Sequence, residues 1–151
     1  MRNIIRNRDI VSDGWRYPGA DGEGPQVATL ADFLAGTATA VQLEPADDVE
    51  KLAPHLGRLA LVVVHFPKDG EGRGFTQGQL LRQRYGYTGE LRAAGQIKRD
   101  YLFFLARCGF DAFDLHPAED LAASLAAFKT FTAAYQPGSD RGIGVRARRL
   151  G

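Results

Sequence analysis

The sequence of 151 residues contains a single cysteine, Cys108. One thiol excludes an internal disulfide and leaves too few ligands for an iron–sulfur cluster or a cysteine-rich zinc site within one chain. Long apolar runs are also lacking, because the longest, residues 59–64, is far shorter than the roughly 20 residues that cross a bilayer. The amino-terminal residues MRNIIRNRDIV do not contain the apolar segment of a signal peptide. We therefore expect a cytoplasmic protein with no membrane partner.

An excess of one charge is lacking as well. The net charge is +1, whereas nucleic-acid binding needs a sustained basic surface, so no nucleic-acid partner is predicted. The charges are nevertheless unevenly distributed along the chain. Residues 9–57 carry nine acidic and two basic side chains, and residues 68–107 carry eight basic and four acidic ones. The basic middle of the chain favours a small anion or an acidic protein as its partner.

Complete cofactor motifs are lacking too. The glycines at 70, 72 and 74 are not followed by Gly-Lys-Ser/Thr, and the third comes one residue too early for a dinucleotide fingerprint. His65 and His116 lie near or directly after the ends of strand-like segments and are expected close together, but two imidazoles without a third ligand nearby make a weak metal site. We therefore predict no cofactor and no metal, and the sequence identifies no catalytic residue.

What the chain does contain is an alternation of strand-like and helix-like segments. The strand-like segments are residues 40–43, 59–66, 90–94 and 111–115. Such alternation implies right-handed crossovers and a mostly parallel sheet. The sequence predicts one α/β domain, residues 1–136, with about four strands in an open or half-barrel-like sheet and helices on both faces. An amino-terminal β-hairpin is predicted at residues 3–16, and residues 137–151 are predicted to be a flexible basic tail.

Short local signals predict where the helices begin. Thr29, with Asp32 three residues later, forms an N-cap pattern for a short helix. Thr76 and Gln79 form a capping-box pattern, and Pro117 is a residue typical of the first helical position. Helices are therefore expected to start directly after Thr29 and Thr76 and at Pro117.

Ligands of open parallel sheets bind outside the carboxyl ends of the strands. Two segments there carry an arginine close to a predicted helix start, one with Arg73 and one with Arg99. A helix amino terminus and a guanidinium together can bind an oxyanion. The predicted anion site consists of Arg73, Gly74, Gln77, Gly95, Gln96, Arg99 and Asp100. The alternative is that both arginines only form surface ion pairs with neighbouring acidic residues.

Three further arginines, Arg82, Arg84 and Arg92, are candidate docking charges for an acidic partner. Arg82 and Arg84 are expected to face outward from their helix, where a merely solvated surface is the alternative. Cys108 lies in the last turn of a predicted helix, where the helix dipole raises a thiol pKa, so it is predicted to be a core residue and not a nucleophile. The exposed edge of the hairpin could pair two chains into a homodimer.

Residues 65–113 contain the strings FP at 66–67, GRG at 72–74, LLRxRYG at 80–86, GELRA at 89–93, RD at 99–100 and RCGFDAF at 107–113. With these strings the segment resembles a bacterial family known as domain of unknown function 934. The resemblance extends more loosely to the amino-terminal hairpin and leaves out the tail. In family members an aspartate follows the glycine that corresponds to Gly95, at the end of the strand with Arg92 and Ala93. This chain has Gln96 at that position.

Members of this family accompany genes for assimilatory sulfite or nitrite reductases and are labelled oxidoreductases of sulfite reduction. The resemblance therefore implies a role in sulfur assimilation with sulfite reductase as a partner. Because the sequence offers one thiol and no flavin or cluster motif, we expect an accessory protein that docks to the reductase or handles an oxyanion. The alternatives are a small enzyme or binding protein for an anionic sulfo or phospho metabolite at the strand ends, and a self-associating module.

Overall fold

The computed structural model describes residues 2–68 and 72–134. Its strands are β1 (Arg2–Arg6), β2 (Asp9–Asp13), β3 (Ala28–Thr29), β4 (Ala40–Leu43), β5 (Leu61–Phe66), β6 (Glu90–Gly95) and β7 (Ala112–Asp114). Its α-helices are α1 (Leu30–Ala35), α2 (Gly72–Gln79), α3 (Leu102–Cys108) and α4 (Leu121–Ala134). Two 3₁₀ helices cover Val49–Arg58 and Arg99–Tyr101, and a π-helical segment, Leu80–Arg84, continues α2. The predicted tail lies outside the described residues.

The strands form one sheet in the order β2-β1-β7-β6-β5-β4-β3. Strands β3 to β7 are parallel to one another, and β1 runs antiparallel to both β7 and β2. The predictions of a mostly parallel sheet and of an amino-terminal hairpin are confirmed. The predicted number of four strands is wrong, because the sheet has seven. The hairpin joins the same sheet beside β7, and β3 is a two-residue edge strand, too short to produce a periodic pattern.

The helices pack on one face of this sheet. The order β3-β4-β5-β6-β7 follows the chain without reversing, and successive right-handed crossovers then place each connecting helix on the same side. The large core accordingly joins Val62, Val64 and Phe66 of β5 to helical residues such as Leu81 and Leu105. The prediction of helices on both faces is therefore wrong for the described part of the chain.

The other face of the sheet is covered by the loop of residues 14–27. A smaller apolar cluster lies there, made of Val27, Ala40, Leu61, Val63 and Ala94, with Trp15 and Tyr17 packed against it. The same face also carries Arg92, which is fully buried and donates to both carboxylate oxygens of Asp13 at 2.9 Å and to Glu90 at 2.8 Å. A face that no helix covers leaves space at its edge for a cavity.

The N-cap prediction for α1 is confirmed, because the Thr29 hydroxyl accepts a hydrogen bond from the backbone N–H of Asp32 at 3.2 Å. The predicted start of α2 is wrong. This helix begins four residues before Thr76, at Gly72, and the Thr76 hydroxyl donates back to the Gly72 carbonyl at 3.4 Å. A threonine inside a helix forms this bond when its hydroxyl is not needed as a cap.

The predicted start of α4 is wrong as well. Instead of beginning at Pro117, the helix begins at Leu121, where the Asp120 carboxylate accepts a hydrogen bond from the backbone N–H of Ala123 at 3.0 Å. An aspartate cap stabilises a helix by about 1 kcal/mol, whereas a proline is merely compatible with the first helical position and donates no hydrogen bond there. The stronger of the two signals therefore sets the start of the helix.

Cys108 lies in the last turn of α3 and is 1 % exposed. Burial raises the pKa of its thiol to about 11, which keeps the thiol protonated at neutral pH. The prediction of a core cysteine is confirmed. The helix ends at Gly109, whose φ of 110° favours glycine at this C-cap.

Candidate functional site

A cavity of about 640 Å³ opens at the carboxyl ends of β5, β6 and β7, with Tyr17 of the loop of residues 14–27 and Leu121 of α4 both in its lining. Its polar lining residues are Arg2, Asn3, Tyr17, Gln42, His65, Asp114, His116 and Glu119. Its apolar lining comes from Ala94, Leu115 and Leu121, with Pro18, Pro117 and the backbone of Gly95. Cavities of about 300 to 1,000 Å³ hold small molecules. The position agrees with the rule that ligands of parallel sheets bind at the carboxyl ends of the strands.

One wall of the cavity is built around His65, the fifth residue of β5. Its Nδ1 lies 2.7 Å from Oε1 of Glu44, and the other oxygen of Glu44 accepts a hydrogen bond from Gln42 at 2.8 Å. Because a carboxylate can only accept, the Nδ1 of His65 carries the proton and its Nε2 keeps a free lone pair when the ring is neutral. The carboxylate therefore sets both the orientation and the tautomer of this imidazole.

The opposite wall is built from Tyr17, Asp114 and Arg2. The Tyr17 hydroxyl donates to Oδ2 of Asp114 at 2.6 Å, and Nε of Arg2 lies 3.4 Å from the same oxygen. Arg2 also donates to Asp13 at 2.7 Å. Burial raises the pKa of the Asp114 carboxyl, and the hydrogen bond from Tyr17 and the charge of Arg2 oppose this rise. Since two carboxylates compensate Arg2, this guanidinium is a weak anchor for an anion.

Between these walls, His65, Ala94 and Asp114 lie in one row across three adjacent strands. Ala94 is in register with His65 on β5 and with Asp114 on β7. Residues in register point to the same face, and neighbouring strands are about 4.8 Å apart, so the backbones of His65 and Asp114 are separated by about 10 Å. The methyl group of Ala94 is the side chain between them. The row therefore leaves room for a small molecule to reach both titratable groups.

His116 follows β7 and also lines the cavity. Its Nδ1 accepts a hydrogen bond from the backbone N–H of Ala118 at 3.0 Å. A ring nitrogen that accepts carries no proton, so the proton of the neutral ring is on Nε2. The tautomer of His116 is therefore the opposite of that of His65.

Gly95 forms the floor of the cavity next to His65. Its φ is 110°, and a Cβ at this position would lie 2.5 Å from the carbonyl oxygen of Phe66 and 3.0 Å from Cδ2 of His65. Both the left-handed backbone and the close approach of Phe66 require glycine here. A side chain at this position would therefore also press on the imidazole ring of His65.

The charged residues that line the cavity are Arg2, Asp114 and Glu119. With neutral histidines their sum is −1, and Glu44 adds a further negative charge just behind His65. A free anion is repelled by such a lining unless the histidines gain protons. The cavity therefore suits a neutral polar molecule better than the oxyanion that the sequence led us to expect.

Of the seven predicted anion-site residues, Gly95 lines this cavity. Arg73 and Arg99 are exposed at the starts of α2 and of the second 3₁₀ helix, on the helix-covered side. The rings of Phe75 and Tyr101, each two residues further along, have centroids 6.3 Å apart. The two arginine-bearing segments are therefore neighbours, and whether they bind an anion together stays a prediction.

The other predicted anion-site residues have varied positions. Gln77 is 5 % exposed, and its amide nitrogen donates to the carbonyls of Glu44 and Asp47 at 2.9 and 3.1 Å. Gly74 is buried against the Phe66 ring, which leaves no space for a side chain. Gln96 is half-buried and Asp100 is exposed. Gln77 thus supports the backbone that carries Glu44, a structural role behind the His65 wall.

Two of the three predicted docking arginines are not available for docking. Arg92 is fully buried, so the prediction that it docks a partner is wrong. Arg82 does not face outward as predicted, because its guanidinium donates to the carbonyls of Gly109, Tyr87 and Gly89 at 2.7 to 2.8 Å. Arg84 is exposed. Of the three, Arg84 alone is compatible with a docking surface.

Several residues of the site were not predicted from the sequence, among them Arg2, Tyr17 and Asp114 of the cavity lining and Glu44 behind His65. A usable signal was present in part, since a polar residue lies within the last two positions of an otherwise apolar strand, at His65 in β5 and at Asp114 in β7. Arg2 and Tyr17 carried no such signal, because they belong to the hairpin and the following loop. Their place in the site depends on β1 pairing with β7.

The phenols of Tyr17, in the cavity wall, and Tyr87, in the core, provide a test of how these two side chains are buried. Burial raises the pKa of both hydroxyls well above the usual value, and the Asp114 carboxylate raises that of Tyr17 further. A group whose pKa is raised in the folded state stabilises the fold below its unfolded pKa, about 10 for tyrosine. Stability should therefore fall as pH rises above about 10, because the unfolded chain then loses these protons first.

Ultraviolet absorbance of phenolate in the native protein should show Tyr17 and Tyr87 titrating well above the ordinary range of a phenol. The Tyr17→Phe variant should lack one of these late protons and lose less stability in alkali. Titration of Tyr17 and Tyr87 within the ordinary phenol range would show that these two side chains are not buried as described.

No described helix combines the length and the apolar character that a membrane span requires. Within residues 2–68 and 72–134, no group of three or more histidine, cysteine, aspartate or glutamate side chains is placed to hold a metal ion.

Comparison with known proteins places the chain in a family. The profile of a family described as "Bacterial protein of unknown function (DUF934)" matches residues 40–144. This range includes β4 to β7 with the helices that connect them, and in the cavity it contains Gln42, His65 and Asp114. A search among curated proteins found no match. Because the profile covers well over half of the sequence, the chain belongs to the DUF934 family of bacterial proteins.

Proposed function

We propose that this protein is an accessory of assimilatory sulfite reduction that binds a small polar metabolite in the strand-end cavity and carries no electrons itself. The observation that supports binding is the cavity, in which His65, Asp114 and His116 surround a space of about 640 Å³. The link to sulfite reduction comes from the family resemblance. Binding in the cavity and the role in sulfite reduction do not depend on each other, so a separate experiment tests each of them.

The thiol chemistry of the chain favours an accessory over a redox catalyst. Its single cysteine, Cys108, is buried in the core, and its pKa is raised to about 11. The thiolate is the reactive form of cysteine, and at neutral pH this thiol stays protonated and out of contact with solvent. Thiol–disulfide exchange through Cys108 is therefore disfavoured.

Binding in the cavity is tested by comparing two variants that carry the same chemical change. His116→Gln alters the cavity, and His55→Gln alters a histidine that pairs with Arg58 elsewhere on the surface. We expect a neutral hydroxy-carbonyl compound such as dihydroxyacetone to raise the Tm of the wild type and of His55→Gln, and to raise that of His116→Gln by less. Sulfite, sulfate and phosphate should give smaller shifts because the lining is negative.

Equal shifts in all three proteins would place the binding outside the cavity. No shift with any neutral compound, alongside a clear shift with sulfite or phosphate, would favour the anion site at Arg73 and Arg99 instead.

The role in sulfur assimilation is tested by deleting the gene. The deletion strain is expected to grow poorly on sulfite as sulfur source and normally on sulfide, because the defect would precede sulfide formation. Equal growth on both sources would remove the proposed link to sulfite reduction and leave the cavity unaffected.

A second candidate function is docking to the reductase. Phe104 is 51 % exposed, and its ring centroid lies 4.9 Å from that of Phe75. Arg84 is also exposed and belongs to the segment that continues α2, the helix of Phe75, so the helix-covered side presents both an apolar pair and a basic side chain. Co-purification with sulfite reductase at low salt should be lost in a Phe104→Ser/Arg84→Glu variant and kept in Ile10→Ser, which changes an exposed apolar residue of β2. Separate elution of the wild-type proteins would exclude docking.

A further inference from the structure

The two histidines of the cavity are held in opposite tautomers by their neighbours. Nδ1 of His65 donates to the Glu44 carboxylate, which leaves a lone pair on Nε2. Nδ1 of His116 accepts from the backbone N–H of Ala118, which leaves a proton on Nε2. One ring therefore offers the cavity a proton acceptor, and the other offers a hydrogen-bond donor.

The carboxylate partner distinguishes His65 from the other two histidines of the chain. Nδ1 of His55 lies 3.1 Å from a guanidinium nitrogen of Arg58, which can only donate, so this ring has the same tautomer as His116. A carboxylate on Nδ1 also stabilises the imidazolium that forms when Nε2 takes up a proton. Of the three imidazoles, that of His65 is built to act as a base.

We propose that the cavity is a proton-transfer site for a small neutral carbonyl compound, with Nε2 of His65 as the base and Nε2–H of His116 as the donor to the carbonyl oxygen. This inference rests on the proposed function, because the cavity must bind the metabolite whose proton moves. Glu44 is a positioning residue in this assignment, since it acts on the substrate through His65.

The proposed step is balanced without a further reactant. A C–H bond next to the carbonyl breaks, and its proton forms an N–H bond at Nε2 of His65. The electron pair of the C–H bond forms a C=C bond, and the π pair of the C=O bond moves onto the carbonyl oxygen. The enolate oxygen accepts the hydrogen bond of His116, which keeps its proton. Return of the proton to the same carbon gives back the substrate, and exchange of the imidazolium proton with solvent before that return labels the substrate with deuterium.

Three features of the cavity suit such a substrate. The row His65–Ala94–Asp114 leaves a gap above a methyl group, and the lack of a Cβ at Gly95 leaves space beside Cδ2 of His65. The net lining charge disfavours an anionic substrate, and the polar groups Gln42 and Asn3 can bind hydroxyl groups. The class that fits these features is a small neutral hydroxy-ketone or hydroxy-aldehyde.

The first test reads the tautomers in the ligand-free protein by NMR of ¹⁵N-labelled histidine. We expect the proton on Nδ1 in His65 and on Nε2 in His55 and His116. In the Glu44→Gln variant the amide can donate as well as accept, so the Nε2–H form of His65 should appear. A wild-type His65 with its proton on Nε2 would overturn the assignment of the base. Because no ligand is present, this result is independent of the proposed function.

The second test follows deuterium uptake from D₂O into dihydroxyacetone. The wild type and His55→Gln should accelerate exchange over buffer, and His65→Gln should lose about 10²-fold of this acceleration. Glu44→Gln should lose less, since the base remains. If the wild type and His65→Gln exchange at the same rate, or the wild type does not exceed buffer, proton transfer by His65 is excluded for this class. Binding in the Tm assay without exchange would leave the proposed function standing and remove the inference.

Discussion

Replacing Arg92 by methionine is expected to lower the free energy of unfolding by about 3 to 5 kcal/mol, the cost of breaking a buried ion pair by removing one partner. The guanidinium is fully buried and donates to both oxygens of Asp13 and to Glu90. Without it, these two carboxylates remain at an apolar face of the sheet, and Asp13 is itself only 4 % exposed. The expected fall in Tm is roughly 10 to 15 °C for a domain of this size.

The matched control is Arg84→Met, which makes the same change on the surface and should alter stability by no more than about 0.5 kcal/mol. Urea unfolding of both variants measures the difference. A loss below about 1 kcal/mol in Arg92→Met would mean that Asp13 and Glu90 are not held in a closed network, and that the hairpin does not join the sheet as described.

Gly95→Ala is expected to cost about 3 kcal/mol of stability and to disturb the cavity at the same time. The residue has a φ of 110°, and its new Cβ would collide with the Phe66 carbonyl oxygen at 2.5 Å. A strained backbone of this kind costs about 1 to 3 kcal/mol before the collision is counted. The Cβ would also press on Cδ2 of His65, so deuterium exchange should fall together with stability.

The Gly86→Ala variant separates the cost of a left-handed backbone from the cost of the collision with Phe66. Gly86 also has a positive φ, 69°, but a Cβ there would meet nothing within 4 Å. Its substitution should therefore cost only the left-handed backbone, about 1 to 2 kcal/mol, and should leave exchange unchanged. Equal losses in the two variants would show that the close approach of Gly95 to Phe66 is not present in solution.

The parallel part of the fold was predictable because its signals are local. The run from Leu61 to Val64 is buried on both faces, as the apolar stretch indicated, and β6 and β7 were found from their short patterns. The side on which the helices pack was not predictable, since it depends on strand order. Order is decided by pairing between distant segments such as β1 with β7, and a single sequence shows no direct trace of such pairing.

The site was also predictable from the sequence only in part. The rule for parallel sheets indicated the carboxyl ends of the strands, and His65, Gly95 and His116 were expected at that edge. The choice of arginines was less successful, because charge in the sequence does not distinguish a free guanidinium from one that is buried in a network. Arg92 looked like a surface residue and is the most enclosed charge among the described residues.

The most direct test of the account is complementation of the deletion strain by wild type, His65→Gln and His55→Gln, with sulfite as the sulfur source. All three proteins should accumulate to similar levels, because His65 and His55 are both partly exposed. We predict that wild type and His55→Gln restore growth and that His65→Gln does not. Full restoration by His65→Gln would contradict the claim that the strand-end cavity is where this protein works.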